Sequence, residues 1–161
     1  MVLVIRNSIF GALDDGSGNY FVKQIEFPEV FDGAAIIDIK ASGICGSDLH
    51  MTNERIEPQT IPSGHEIAGE IIELPKSYTG NLAIGDRVAI DNIGAGKSCS
   101  NCYYCNYGQF RHCVNPSPET GGGFSQFITR KPSGLFKISD QMDWNDGALV
   151  EPMAVSGHGF R

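Results

Sequence analysis

Short apolar stretches separated by turn-forming residues fill most of this sequence and restrict the folds that it can adopt. Several stretches alternate apolar with polar side chains, as half-buried strands do. Between them lie Asp-Asp-Gly, Phe-Asp-Gly, Ile-Gly-Asp and Lys-Pro-Ser-Gly, which are typical turn sequences. We therefore predict a mainly β protein, either a barrel or a sandwich. The predicted strands are 2–6, 20–27, 34–41, 66–74, 87–91, 124–130 and 135–138.

Size and charge narrow the class of protein further. The 161 residues, 41% of them apolar, are enough for one domain with a buried core, which we expect to cover 1–161. The formal charge of -7 argues against a surface for nucleic acid or acidic membranes. The opening MVLVIRNSIFG lacks the features of a signal peptide, and no apolar run approaches the roughly 18 residues of a membrane span. We expect a cytoplasmic protein.

Helical spacing is found near the C-terminus, in DWNDGALVEPMAVSGHGF. Asp143 is a plausible N-cap, and Asp146 suits the first turn of the helix. Pro152 is predicted to interrupt the helix, since the residue before a proline is pushed towards an extended conformation. We expect Glu151 to lie at a break between two helical pieces, with its carboxylate aimed sideways. A plain helix boundary is the alternative.

Four of the five cysteines lie in one loop, predicted at 94–113, with the spacing C-x2-C-x2-C-x7-C. Reduced cytosolic thiols that cluster in this way favour a metal over disulfides. Cys99, Cys102, Cys105 and Cys113 can surround one Zn²⁺ and leave no coordination position free, which predicts a structural zinc site. The alternatives are an iron–sulfur cluster, a redox disulfide and plain buried thiols.

The fifth cysteine, Cys45, stands in SGICGSDLH, while His65 and Glu66 stand in PSGHEIAGEII. Taken singly, such a cysteine is more often a small buried hydrophobe, and such a histidine is more often a surface or core residue. Together, at the ends of predicted strands, they offer three zinc ligands and a fourth position for water or substrate. One thiolate, one neutral imidazole and one carboxylate cancel the charge of Zn²⁺, so the ion would remain electrophilic.

Five motifs occur in order along the chain: GICGSDLH, GHEIAGEI, GDRV, the four-cysteine loop and ALVEPMAV. This set resembles the GroES-like catalytic domain of the zinc-dependent medium-chain alcohol dehydrogenases. The glycine after Cys45 and the Glu-Pro pair at 151–152 make the chain most similar to the sorbitol and threonine dehydrogenase branch. The resemblance implies a mainly β fold, a GroES-like barrel with a few short helices.

The resemblance also implies a set of metal ligands. It implies a catalytic zinc at Cys45 and His65, with Glu66 and Glu151 as carboxylates that bind the ion directly or through water. If both carboxylates bound at once, the net charge would fall to -1, so we expect them to alternate or one to act through water. Asp48 would be the acceptor that orients the imidazole of His65. A turn-capping role for Asp48 is equally open from the sequence.

The family's reaction is the oxidation of an alcohol, in which zinc acts as Lewis acid and hydride passes to NAD(P). Ser47 matches the family's hydroxyl next to the substrate. His50 matches the relay that carries the substrate's proton to solvent. By resemblance the substrate is an alcohol or a polyol, and two zinc ions are expected per chain.

The sequence departs from the family in its nucleotide-binding part. The family binds its dinucleotide in a second, doubly wound domain that carries G-x-G-x-x-G, and neither 94–96 nor 121–123 provides that motif in a strand-to-helix turn. We therefore expect a Rossmann domain to be missing and the catalytic domain to be truncated at its C-terminal end. The isolated chain is then expected to be inactive and to form homo-oligomers through an exposed edge. It is either a truncated reading frame or the partner of a separate nucleotide-binding chain. The alternative function is a non-enzymatic zinc-binding barrel, or a remnant, used for interaction.

Overall fold

A computed structural model describes residues 8–54, 57–92 and 94–159 of the protein. The strand predicted at 2–6 lies outside these residues. The strands are β1 (Ser8–Asp14), β2 (Tyr20–Glu26), β3 (Ala35–Gly43), β4 (Glu66–Glu73), β5 (Arg87–Asp91), β6 (Phe127–Arg130) and β7 (Leu135–Lys137). The α-helices are α1 (Gly46–Glu54), α2 (Tyr103–Asn106), α3 (Trp144–Ala148) and α4 (Val150–His158), and short 3-10 helices occupy Phe110–His112 and Pro132–Gly134.

Two sheets form the framework of the molecule. The larger is a five-stranded antiparallel sheet with the order β6-β3-β4-β5-β7, and the smaller is the β1-β2 hairpin. The segment 124–126 joins them: the N–H of Ala12 in β1 donates to the carbonyl of Phe124 (2.7 Å), and that of Ile39 in β3 donates to Gln126 (2.9 Å). The prediction of a mainly β fold with a few short helices is thereby confirmed.

The core lies against the larger sheet. Apolar side chains from β3, β4, β5, β6 and β7 meet there, which is why alternating stretches of the sequence form these strands. The fully packed members are Ala35, Ile37, Ile67, Ile71, Val88, Ile90, Ile128 and Leu135. This burial holds β3 and β4 side by side at the centre of the sheet.

The predicted elements and the observed ones differ by one or two residues at several strand ends and more clearly elsewhere. The strand predicted at 124–130 is shorter, because regular pairing with β3 begins only at Phe127. β1, α1 and α2 were not predicted. Buried and more exposed positions alternate along most of β1, but an exposed Phe10 and a buried Gly11 hide this in the sequence, and α1 has little apolar character on any face.

The predicted interruption near the C-terminus is real but lies two residues earlier than expected. Asp143 caps α3 by accepting a hydrogen bond from the N–H of Asp146 (2.8 Å), as predicted. The break falls at Leu149, between α3 and α4. Pro152 lies in the first turn of α4, where its missing N–H has no intrahelical partner to lose. The prediction that places Glu151 at the break is therefore wrong, and Glu151 lies in the first turn of α4.

Arg87, on β5, fixes the segment that leads into α3. Its guanidinium donates to the carbonyls of Asp140 (3.3 Å) and Met142 (2.5 Å) and stacks over the Trp144 ring, 3.8 Å from the ring centroid. The helix pair α3–α4 is thereby held against the sheet. Among the described residues, no helix is long and apolar enough to cross a membrane.

Helix α3 packs on the sheet through Gly147. A β-carbon at this position would lie 2.7 Å from Cδ1 of Ile138 and 2.9 Å from Cβ of Ala68. Gly147→Ala should therefore push α3 off the sheet and lower the free energy of unfolding by about 1–3 kcal/mol. Urea denaturation followed by circular dichroism measures this. Gly157→Ala in α4 is the control, because a β-carbon there meets nothing within 4 Å; equal losses in both variants would contradict the prediction.

Candidate metal centres

Three of the predicted ligands come together where β3 ends and β4 begins. Cys45 lies in the turn between β3 and α1, while His65 directly precedes β4 and Glu66 is its first residue. Because Gly43 pairs with Glu66 in the antiparallel register, the end of β3 and the start of β4 are neighbours. One ligand atom from each of the three residues lies within 4.8 Å of the other two. A thiol, an imidazole and a carboxylate at this separation suit a zinc ion.

Gly43 makes room for this arrangement. A β-carbon at Gly43 would overlap Oε2 of Glu66 and approach Cδ of the same carboxyl group at 3.1 Å. Glu66 is buried, so its carboxylate has little space to move elsewhere. Only a residue without a side chain at position 43 therefore leaves the Glu66 carboxylate in reach of Cys45 and His65.

Asp48 bonds to Cys45 and lies close to His65. It is 2% exposed, and its carboxylate accepts a hydrogen bond from the N–H of Cys45 (3.0 Å). The N–H of Asp48 donates in turn to the carbonyl of Cys45 (3.0 Å), so the pair closes the first turn of α1 much as a capping box does. The other carboxylate oxygen lies 3.9 Å from Nδ1 of His65, longer than a hydrogen bond. Both functions considered for Asp48 are thus compatible with its position.

Glu151 lies near the three-residue set but is not one of its members. Partial burial raises the pKa of its carboxyl group; the nearby His65 lowers this pKa, and the carboxylates of Glu66 and Asp91 raise it. The side chain, in the first turn of α4, lines a different cavity from His65, together with Asp91 and Phe110. A raised pKa means that Glu151 gives up its proton less readily than an exposed glutamate.

Ser47 and His50, predicted to relay a proton, both lie on α1 and are exposed. Their spacing of three residues puts them on one face of the helix. A cavity of about 410 Å³ opens beside the set, with Asp48 and His65 in its wall. A second, apolar cavity of about 420 Å³ also reaches Asp48 and is lined by Ile44 among others. The three-residue set therefore borders, through His65, space that can admit a small molecule.

The four-cysteine loop forms the second candidate centre. Its four sulfurs lie within 4.8 Å of one another, and none of the four cysteines is in a disulfide. The sulfur of Cys105 lies 3.4 Å from that of Cys102 and 3.9 Å from that of Cys99. Sulfurs at the corners of a tetrahedron around zinc are about 3.8 Å apart. The loop is thus already shaped to hold such an ion.

Backbone N–H groups favour the thiolate form in this loop. Hydrogen bonds from the backbone of Val114 and Cys105 lower the pKa of Cys102 to about 6. The N–H of Cys99 donates to the sulfur of Cys113 (3.3 Å) and lowers the pKa of that thiol as well. Burial raises the pKa of Cys105. The bound form of a zinc site is the thiolate, so a pKa near neutrality at Cys102 prepares the loop for metal.

Sequence reasoning missed Gly43, which makes room for the Glu66 carboxylate, and the buried, hydrogen-bonded pair Asn92 and Arg130. Gly43 stands in a glycine-rich motif but carries no signal of its own. Arg130 lies in β6 and is 1% exposed, although arginine is rarely buried. Its hydrogen bonds join residues far apart in sequence, which no local pattern can indicate.

The comparisons with known proteins agree with the fold. The family model for the alcohol dehydrogenase GroES-like domain matches residues 32–140. Sorbitol dehydrogenase of Bacillus subtilis is 33% identical over 146 residues, covering 85% of this chain and 40% of that protein. L-idonate 5-dehydrogenase of Vitis vinifera is 37% identical over 134 residues, covering 78% and 36%. The chain thus spans about two-fifths of the length of these curated relatives.

A solved structure gives the same relationship. Galactitol-1-phosphate dehydrogenase of Escherichia coli superposes with a TM-score of 0.77 at 28% identity, covering 94% of this chain and 44% of that one. The match of the family model extends over more than half of the chain. The chain therefore belongs to the alcohol dehydrogenase GroES-like domain family, in agreement with the resemblance of its motifs to zinc-type polyol dehydrogenases.

The fit between Gly43 and Glu66 can be tested by adding one methyl group. Gly43→Ala should displace the Glu66 carboxylate and weaken divalent metal binding at the three-residue set by about 10- to 100-fold, the range typical of disturbed ligand positions. Competition with a chromophoric chelator measures the affinity. Gly46→Ala is a matched control, because a β-carbon there meets nothing within 4 Å. Unchanged metal affinity in Gly43→Ala would contradict the proposed constraint.

Proposed function

We propose that this chain is the zinc-binding catalytic domain of an NAD(P)-dependent alcohol or polyol dehydrogenase. The observation that carries the proposal is the set Cys45, His65 and Glu66, which offers three ligands of balanced charge beside a cavity. A zinc ion held by three protein ligands keeps a position for substrate, whereas a closed four-ligand site does not. Two relatives are named for sorbitol and L-idonate, both polyhydroxylated, which supports a polyol as the substrate class.

In this proposal Cys45 and His65 hold the ion throughout. Glu66 has the shorter reach to it, because its carboxylate belongs to the close set. Glu151, in the first turn of α4, binds in alternation with Glu66 or through a water molecule. Its position outside the close set favours binding through water.

In this proposal Asp48 holds Cys45 and His65 in position. Its carboxylate fixes the backbone of Cys45 and lies 3.9 Å from Nδ1 of His65. A small shift of the imidazole on metal binding would bring this nitrogen within hydrogen-bond distance of Asp48. The carboxylate would then accept a hydrogen bond from the ring N–H and fix the orientation of the ring. Ser47 and His50 share an exposed face of α1, which suits a path that carries the substrate's hydroxyl proton to solvent.

When bound, zinc supplies Lewis acidity to the alcohol oxygen and NAD(P) accepts the hydride. The residues of this chain orient the alcohol and remove its proton. We assign a second zinc ion to Cys99, Cys102, Cys105 and Cys113, where four ligands fill the coordination sphere and the ion orders the loop. Because the sequence has no G-x-G-x-x-G turn, the proposal assigns NAD(P) to a separate nucleotide-binding domain or chain.

Elemental analysis of protein purified without added metal tests the two-site assignment. We expect two zinc ions per chain, with Cys45→Ala removing about one and Cys113→Ala removing the other, because each substitution deletes a ligand from one set only. Circular dichroism checks that both variants remain folded. One zinc ion per chain, lost only in Cys113→Ala, would contradict a catalytic zinc at Cys45.

Replacement of zinc by Co²⁺ tests whether the first site is open to an alcohol. The visible absorption of cobalt at a site with a free position should shift when sorbitol is added, because the ligand field changes, whereas the four-thiolate site should not respond. Cys45→Ala should abolish the shift. With NAD⁺ or NADP⁺ added, the chain by itself should give no turnover. An unresponsive cobalt spectrum would count against the dehydrogenase proposal, and turnover by this chain would contradict the need for another nucleotide-binding domain.

A further inference from the structure

Arg130 is a buried cation that joins three separate parts of the chain. Its Nη1 donates to the hydroxyl of Thr120 (2.6 Å) and to the carbonyl of Thr129 (2.7 Å). Its Nε donates to Oδ1 of Asn92 (2.7 Å), and Nη2 donates to the same oxygen and to the carbonyl of Gly121. All donor groups of the guanidinium are therefore used, and most of its partners are neutral.

A buried arginine of this kind is costly in the core of a small protein. The nearest carboxylate in its hydrogen-bond neighbourhood, that of Glu119, is 3.9 Å away and belongs to a half-exposed side chain that bonds closely to Lys97 (2.6 Å). An apolar side chain could fill the same volume without the desolvation penalty. The guanidinium, however, has a fixed planar fork that holds several acceptors in one geometry, which neither an apolar side chain nor lysine can do.

Asn92 connects Arg130 to the first metal centre by hydrogen bonds. Because arginine only donates, Oδ1 of Asn92 must face Arg130, and its amide nitrogen must face the opposite way. That nitrogen donates to the carbonyl of Gly64 (3.0 Å), which also accepts from the N–H of Gly123 (3.0 Å). Gly64 has a left-handed backbone (φ 96°) and directly precedes His65. The peptide that carries His65 is thus held by two hydrogen bonds.

We propose that Arg130, acting through Asn92, is a positioning residue for His65: the chain of hydrogen bonds Arg130–Asn92–Gly64 fixes the His65 backbone so that its imidazole meets Cys45 and Glu66. The inference rests on the proposed zinc site, and it adds a residue that does not touch the ion. Loss of this chain of bonds should leave Cys45 and Glu66 in place but allow the His65 imidazole to adopt other orientations, and metal affinity should fall.

Lys131, the residue that directly follows β6, offers a contrast to Arg130. Lys131 donates from Nζ to the carbonyl of Ser98 (2.8 Å), and Ser98 directly precedes Cys99 of the four-cysteine loop. Hydrogen bonds thus connect Arg130, through Asn92, to the residue before His65, whereas Lys131 bonds to the residue before Cys99. Substitution of Lys131 is therefore a control for general damage to this part of the fold.

The test measures Co²⁺ affinity at each site separately in the whole chain. The two sites are distinguished by their near-ultraviolet charge-transfer absorption, which grows with the number of thiolate ligands. The three-residue set is the one-thiolate site, and the four-cysteine set is the four-thiolate site. The first variant is Asn92→Asp, which keeps an acceptor for Arg130 but loses the donor to Gly64. On charge alone, an added carboxylate near the site would strengthen cation binding. A weaker site in this variant therefore reports lost positioning and not altered charge.

We expect Asn92→Asp to weaken Co²⁺ binding at the one-thiolate site about tenfold. This is the lower end of the affinity losses that follow substitution of residues which support a metal ligand. Arg130→Lys should have a similar effect, since lysine cannot hold the fork geometry. The four-thiolate site should be unchanged in Asn92→Asp, and the one-thiolate site should be unchanged in Lys131→Met. If Arg130→Lys does not fold, Asn92→Asp decides.

Two results would overturn the inference. The first is that the one-thiolate site of Asn92→Asp binds Co²⁺ at least as tightly as the same site in the unmodified protein. The other is an equal loss at both sites together with a lower urea midpoint, which would mean that Asn92 supports only the general fold. By contrast, if the unmodified protein shows no one-thiolate cobalt spectrum at all, it is the proposed function that fails.

Discussion

The antiparallel pairing of β3 with β4 is the constraint on which the first centre depends. Its register places Gly43 opposite Glu66, and so brings the turn that holds Cys45 next to the residues at the start of β4. The pair lies at the centre of the five-stranded sheet and is fixed by the core side chains of both strands. A slip of one residue would turn Glu66 to the other face of the sheet. The ligand set is therefore specified by sheet packing more than by the local sequence around each ligand.

The two centres differ in how the chain builds them. The four-cysteine loop draws its ligands from within 15 residues, with backbone N–H groups that stabilise thiolates, and it depends little on the sheet. The three-residue set draws its ligands from two strand ends and has a further contact from α1 through Asp48. Local construction suits a site that stabilises its own loop. Construction from several elements suits a site whose geometry must be exact and whose surroundings must leave space.

Much of this could be predicted from the sequence, and the failures have physical causes. Alternating apolar residues located the strands of the core, and cysteine spacing identified the loop, because both signals are local. The break before α4 was misplaced because a proline in the first turn of a helix resembles one that ends it. Gly43 and Arg130 could not be recognised. Their importance arises from contacts with Glu66 and Asn92, which only the folded chain brings near.

The position of the four-cysteine loop within the sheet's connectivity has a consequence for folding. β6 pairs with β3 across the 95 positions from 35 to 130, and the loop from 99 to 113 lies inside that span. A metal ion that stayed on the four thiols in the unfolded chain would shorten this connection by only about 14 residues. Since closure entropy grows with the logarithm of length, the pairing of β3 with β6 would gain only about 0.1 kcal/mol. The long-range pairing of β3 with β6 therefore depends on the apolar core far more than on a metal ion in the loop.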